Sequence, residues 1–434
     1  MIGYIKEILK KYLKDSQYKK NVLVMIIGRV VAQAIPILLT PLLTRIYSPE
    51  DFGIFGVFAA IIAIVAMISN GRYCLSIILP KKDEKAMTLF SLSTILTILT
   101  TIVFTIVLVI WGKPFFVLLN TPTLGEYIWI VILNMLFIGL YEDLYYYALR
   151  AKAFKILTTN IIIQSLVLIV SRLIFGYLGY TGYGLLLSYL LGYAVSYILM
   201  LIRLKIPVSS IIKQFSWSEH KGLMKEYYKF PKYSLLADTL SMTSNMAPNI
   251  LINKAFGSAV NGYYNMTDKI LGSPIWLVTS SVGDVFRQEA AEQFRTKGSC
   301  FDIFKKTLKA MFLIGIVPFL LLFIFSPYLI TPLLGEGWSE VGEFIRIFTV
   351  MYFVRFVVRP IYSVLYIVRK QDYNAIFQGI HLLSIVIAFF VGIVTKDLYL
   401  CLISWSVLSS ISYVIILFFS YRFAKNTRYD PNED

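Results

Sequence analysis

Twelve long apolar runs constrain this chain more than any motif in it. They fall at about 21–44, 51–79, 86–111, 124–148, 156–178 and 181–202. After a polar stretch at 203–230 they resume at 231–254, 260–284, 307–332, 341–367, 373–394 and 398–421. About 20 apolar residues, rising 1.5 Å each, span the core of a bilayer. A chain of 434 residues that is 58% hydrophobic has no soluble way to bury so much apolar surface. The expected fold is therefore an all-α integral membrane protein, with twelve transmembrane helices forming two six-helix bundles. An even number of helices per half gives both halves the same orientation, so a pseudo-two-fold axis along the membrane normal relates them.

The parts follow from the runs. Residues 1–20 place Ile2, Ile5, Leu9, Tyr12 and Leu13 on one side and lysines on the other, which reads as an amphipathic helix lying in the membrane interface. The N-terminal bundle is 21–202 and the connector 203–230 is cytoplasmic and interfacial. The C-terminal bundle is 231–421, and 422–434 is a cytoplasmic tail. Basic residues crowd the loops of one side, for example Lys81, Lys82 and Lys85, then Arg150, Lys152 and Lys155. Loops of the other side keep Arg45, Lys113, Lys254 and Lys396. The positive-inside rule then sets both termini in the cytoplasm. It also accounts for the net charge of +16 without a nucleic-acid partner. The three cysteines (Cys74, Cys300, Cys401) and two histidines (His220, His381) are scattered and build neither a disulfide framework nor a metal-ligand set. No nucleotide-binding loop or hydrolase motif is present either. The chain is expected to be no enzyme and to carry no cofactor or metal.

The first two runs are joined by Arg45-Ile46-Tyr47-Ser48-Pro49-Glu50-Asp51-Phe52-Gly53-Ile54-Phe55. Ser48 suits an N-cap, Pro49 a first helical position, and Glu50 and Asp51 the positive end of the helix dipole. Lys254 to Tyr264 repeats the order of basic residue, aromatic, glycine and aromatic at a shift of 209 residues. The same shift carries Arg29 to Asp238 and Pro36 to Asn245. An internal duplication explains both matches, and it sets Arg29 and Asp238 facing one another.

Charged groups inside the runs point to function. Arg29, Arg72, Arg172, Lys269, Arg346, Arg355 and Arg359 fall in apolar segments, against the acids Asp238, Asp268 and Asp284. A cation at bilayer depth costs roughly 2.5–3.5 kcal/mol on insertion scales, so it faces protein, water or an anionic guest. Arginine forks take phosphate oxygens two at a time, and tyrosine faces suit sugar rings. Arg29, Arg72, Arg172, Lys269, Arg355 and Arg359 are therefore candidates for a cationic cavity that holds a phosphate-bearing lipid headgroup. Gln33, Asn245, Asn249 and Tyr352 are candidate lining residues. Asp238 and Asp268 are candidates for ion coupling or gating, with Asp268 and Lys269 pointing about 100° apart on their helix. Snorkelling or helix–helix hydrogen bonding is the plainer role for these cations, most of all for Arg346 and Arg359 near helix ends. Glu142 and Asp143, set among Tyr141, Tyr145, Tyr146 and Tyr147, read as an interface belt.

The run from Thr40 to Phe55 resembles the opening of the polysaccharide flippases, which are transporters of O-antigen or capsule units. Arg72-Tyr73 with Ile77-Ile78-Leu79-Pro80 is similar to that family's second-helix end, and Gly257 to Tyr264 also resembles it. The resemblance implies membership of the multidrug/oligosaccharidyl-lipid/polysaccharide exporter superfamily, built as two six-helix bundles around a central cavity. It implies flipping of undecaprenyl-diphosphate-linked oligosaccharide repeat units to the outer leaflet of the bacterial cytoplasmic membrane by alternating access. A coupling cation (proton or sodium) and the polysaccharide polymerase machinery are the further partners expected. Arg29 and Arg72 fall on basic positions of the family. One rival is a multidrug exporter of the same superfamily, which the cationic excess disfavours. The other is a membrane-embedded polymerase or glycosyltransferase, which needs a sizeable outward loop.

Overall fold

The computed structural model describes residues 17–206, 216–368, 370 and 372–427. The proposed interfacial helix up to residue 16, the centre of the connector at 207–215 and the tail from 428 lie outside the described residues. Among the described residues the backbone is helical with no strand. Six long helices precede the polar stretch: α1 (Gln17–Leu38), α2 (Pro49–Ser69), α3 (Asp83–Leu118), α4 (Ile128–Arg150), α5 (Phe154–Tyr177) and α6 (Thr181–Leu204). Six follow it: α7 (Leu235–Phe256), α8 (Ser258–Lys297), α9 (Phe301–Leu334), α10 (Glu340–Val358), α11 (Asp372–Thr395) and α12 (Leu398–Asn426). The described residues up to Ile250 pack as one compact unit and those from Leu251 as another, so the division falls inside α7.

Local chemistry sets the ends of these helices. Ser48 Oγ accepts the Asp51 N–H at 3.2 Å, and Asp51 Oδ2 accepts the Ser48 N–H at 2.9 Å. That reciprocal capping box, with Pro49 as the first helical residue, starts α2. Helix α8 starts at Ser258, and the shift of 209 residues read from the sequence separates these two starts. Gly28 shows what brings α1 close to α5, since a Cβ there would lie 2.2 Å from Thr158 Cγ2. Only a residue without a side chain permits that approach, the usual device of membrane helix contacts.

Two expected helices are shorter than their apolar runs. The 51–79 run breaks after Ser69, and the chain resumes as the 3-10 helix Tyr73–Ile78. The 341–367 run ends at Val358 and resumes as Val364–Ile367. Proline explains the second break, because Pro360 lacks an N–H and its ring crowds the carbonyl four residues back.

Helices α2, α3, α4, α5, α6, α9 and α12, with most of α11, are long and apolar enough to cross a membrane. Of the others, α7, α8 and α10 carry Asp238, Asp268 with Lys269, and Arg355 respectively, while the apolar stretch Ile27–Leu43 holds Arg29. Polarity is concentrated on particular helices. In contrast α3 and α9 present apolar side chains outward, with Val109 70% and Leu313 57% exposed, as lipid-facing helices do. Helix α8, at 40 residues, runs about 60 Å and outreaches a bilayer core. Its last turns pack Phe286, Ala290 and Phe294 on Cys300, Phe304 and Val358. Burial there, outside the spans, pushes the Cys300 thiol up to about 11.

Candidate functional site

In the first unit the densest polar cluster forms where α2 ends. Gly71 and Arg72 both adopt left-handed backbone, with φ of 57° and 60°. For arginine this costs roughly 1–2 kcal/mol, and the turn is held by its N–H, which donates to Asn70 Oδ1 at 3.0 Å. The left-handed turn aims the Arg72 guanidinium inward, where Nη1 meets Glu142 Oε1 at 2.7 Å. Its Nη2 and Nε meet Asp238 Oδ2 at 2.6 and 2.8 Å. Asn70 Nδ2 donates to Asp143 Oδ1 at 3.0 Å, and Asp143 also accepts Ser93 Oγ at 2.5 Å and Thr97 Oγ1 at 3.0 Å. Asn70, Asp143, Ser93 and Thr97 are all fully buried. One arginine thus stands among three carboxylates from α4 and α7.

This arrangement differs from the sequence expectation in two ways. Asp238, expected opposite Arg29, bonds Arg72 instead. Of Glu142 and Asp143, read as an interface belt, Asp143 is buried among hydroxyls and Glu142 is half-buried against Arg72. Asp143 on α4 finds Ser93 and Thr97 four residues apart on α3, a pairing with hydroxyls that a reading limited to charge does not register. Arg72 itself lies outside α2, on the turn that follows it.

Arg29 is different. It is half-buried, and its Nη2 donates to Tyr145 Oη at 2.9 Å. Among the described residues no carboxylate lies within 4 Å of it. Gln33, one turn on, is also half-buried. Arg172 on α5 is 6% exposed, with its guanidinium carbon 4.7 Å from the centre of the Phe55 ring. Its Nε has no hydrogen-bond partner, and its backbone carbonyl accepts Tyr47 Oη at 2.8 Å. On α7, Asn245 Nδ2 is satisfied by Ser241 O at 2.8 Å, whereas the buried Asn249 Oδ1 has no partner.

In the second unit a smaller set gathers around Tyr352, which is buried on α10. Its hydroxyl donates to Asp268 Oδ1, and its ring lies under Arg355, 5.6 Å from the guanidinium carbon. Of the adjacent Asp268 and Lys269, it is therefore Asp268 that meets Tyr352. Arg359, at the end of α10, is half-buried and has no carboxylate within 4 Å among the described residues. His381 Nδ1 lies 3.2 Å from Ser412 Oγ and its ring packs on Tyr413. Asp284, read from the sequence as intramembrane, is exposed and paired with Arg287 one turn along α8. Arg346 sits 3.9 Å from Glu343 and against Phe323, both at the helix surface. Among the described residues no group of histidine, cysteine and acidic side chains has a metal-binding arrangement.

A family model described as polysaccharide biosynthesis protein matches residues 42–343. This chain belongs to that family. A curated relative of this chain is the amylovoran biosynthesis protein AmsL of Erwinia amylovora, 22% identical over 125 residues. That match spans 29% of the chain and only 32% of AmsL. Among solved structures, the lipid II flippase MurJ in an inward closed conformation aligns with a TM-score of 0.72 at 15% identity, covering 92% of this chain and 87% of MurJ. An inward-facing multidrug resistance MATE family transporter of the MOP superfamily aligns at 0.67 and 16% identity, covering 92% and 96%. At these identities the likeness is one of fold. This chain is thus a multi-pass membrane protein, all-helical among the described residues, with a fold like those of MurJ and the MATE transporter, as the sequence led one to expect.

Proposed function

We propose that this protein flips undecaprenyl-diphosphate-linked oligosaccharide repeat units from the cytoplasmic to the outer leaflet of a bacterial cytoplasmic membrane by alternating access. Both termini face the cytoplasm in this reading, and an ion gradient or the membrane potential drives the cycle. The observation that carries it is the state of Arg29. Its guanidinium is half-exposed, bonded to a tyrosine hydroxyl, and lacks a neighbouring carboxylate among the described residues. A cation left without a counter-charge at this depth gains most from an anionic guest, and a diphosphate presents oxygens that match its fork. Arg355 and Arg359 supply further positive charge in the second unit, with Lys269 beside them in the sequence-derived set. Arg72 is already neutralised and acts in this reading as a holder of the Asp238 segment. Asp238 and Asp268 are the groups proposed to respond to the coupling cation. The family match and the flippase fold support the same assignment.

The test is reconstitution in vesicles with a fluorescent undecaprenyl-diphosphate oligosaccharide. Wild-type protein moves the label across the bilayer. Arg29→Ala combined with Arg355→Ala lowers the rate by about 100-fold, the loss expected when two charge-assisted contacts go. An unchanged rate in a correctly inserted double variant rules out the binding role.

A further inference from the structure

A line of aromatic rings runs through the first unit between two arginines that have no carboxylate partner among the described residues. Tyr145, which hydrogen-bonds Arg29, lies 6.4 Å from Tyr141 between ring centres. Tyr141 lies 5.6 Å from Tyr193, and Tyr193 lies 5.1 Å from Tyr189. Tyr189 lies 5.6 Å from Phe55, whose ring covers the Arg172 guanidinium. Helices α4, α6 and α2 contribute in turn. All five rings are half-buried rather than sealed, so each keeps a part of its surface accessible.

Arg172 closes the line. It is 94% buried by the complement of its 6% exposure, its Nε is unsatisfied, and no carboxylate lies within 4 Å among the described residues. A buried charge in that condition is expensive unless paired. The cation–π contact with Phe55 offsets only a part of that cost. Tyr47 Oη holds the Arg172 backbone carbonyl and so fixes the position of the residue on α5.

We propose that these rings form a saccharide track and that Arg172 receives an anionic group on the sugar chain. The proposal rests on the flippase reading and deepens it. With the diphosphate at Arg29, successive sugar rings stack on Tyr145, Tyr141, Tyr193 and Tyr189. Phe55 swings aside, and a carboxylate-bearing sugar reaches Arg172. The substrate class is then a lipid-diphosphate oligosaccharide that contains an acidic sugar several residues from the diphosphate. A phosphate of the lipid headgroup shares the chemistry of a sugar carboxylate, so the test separates the two.

The experiment uses the full-length protein in detergent micelles and three probes, tetragalacturonate, maltotetraose and inorganic diphosphate, followed by calorimetry. In the wild type, tetragalacturonate and diphosphate bind together without competing, and maltotetraose binds more weakly than tetragalacturonate. Arg172→Gln weakens tetragalacturonate about tenfold more than it weakens diphosphate, and Arg29→Ala does the reverse. Tyr193→Ala weakens both saccharides, and Tyr193→Phe restores them because the ring is kept. If Arg172→Gln weakens diphosphate as much as tetragalacturonate, the anion is the lipid headgroup and the saccharide assignment is overturned. One-for-one competition between the two probes in the wild type overturns it as well, and that arm needs no folded variant. Failure of Arg29→Ala to weaken diphosphate sinks the flippase reading instead, so the two failures are distinguishable.

Discussion

Arg72 and Arg29 are cations of the same unit with opposite surroundings. Arg72 is 8% exposed and bonded to Glu142 and Asp238, with Asp143 behind them. Arg29 is half-buried and has a tyrosine hydroxyl. The first charge is used internally, to tie the turn after α2 to α4 and to the start of α7. The second has only a tyrosine hydroxyl beside it among the described residues. A membrane-depth arginine is therefore read by its partners and not by its depth. Tyr352 in the second unit sits between these extremes, with Asp268 on its hydroxyl and Arg355 on its ring face.

The contrast is broken most strongly from the Arg72 side. Arg72→Ala leaves the half-buried Glu142 and Asp238 without their cation, and since breaking a fully buried pair costs about 3–5 kcal/mol, a loss at or below the lower end of that range is expected. The expected outcome is a lowered unfolding temperature in detergent, together with reduced insertion. The same substitution at Arg29 is expected to leave the unfolding temperature close to that of the wild type. Equal losses at the two positions would mean that Arg29 is as structural as Arg72. A smaller effect sharpens the comparison from the other side. Tyr145→Phe removes one hydrogen bond from Arg29, worth about 0.5–1.5 kcal/mol, and frees the guanidinium for an anion. Affinity for inorganic diphosphate, measured by calorimetry, is expected to change only a few-fold.

The fold was legible because its cause is spread over hundreds of residues. Apolar runs fix the number of helices, and Ser48-Pro49 fixes the start of α2 through one turn of capping chemistry. The breaks at Gly71-Arg72 and at Pro360 were less legible, because an apolar run continues through a kink. The site was harder still. Arg29 and Arg355 stood out as charges in apolar segments. The partners of Arg72 did not, because Glu142 lies 70 and Asp238 166 residues away in the chain. Nothing local distinguishes a carboxylate that will be buried against a hydroxyl pair from one that will lie in the headgroup region. The duplication located α8 correctly and suggested the wrong partner for Asp238. A shared backbone start does not oblige two halves to share side-chain contacts.

The most direct measurement of the central claim is the affinity of purified full-length protein for inorganic diphosphate, in the wild type and in Arg29→Ala. The account predicts saturable binding in the wild type that weakens by at least about tenfold in the variant, with the unfolding temperature unchanged. Equal affinity in both proteins would contradict it.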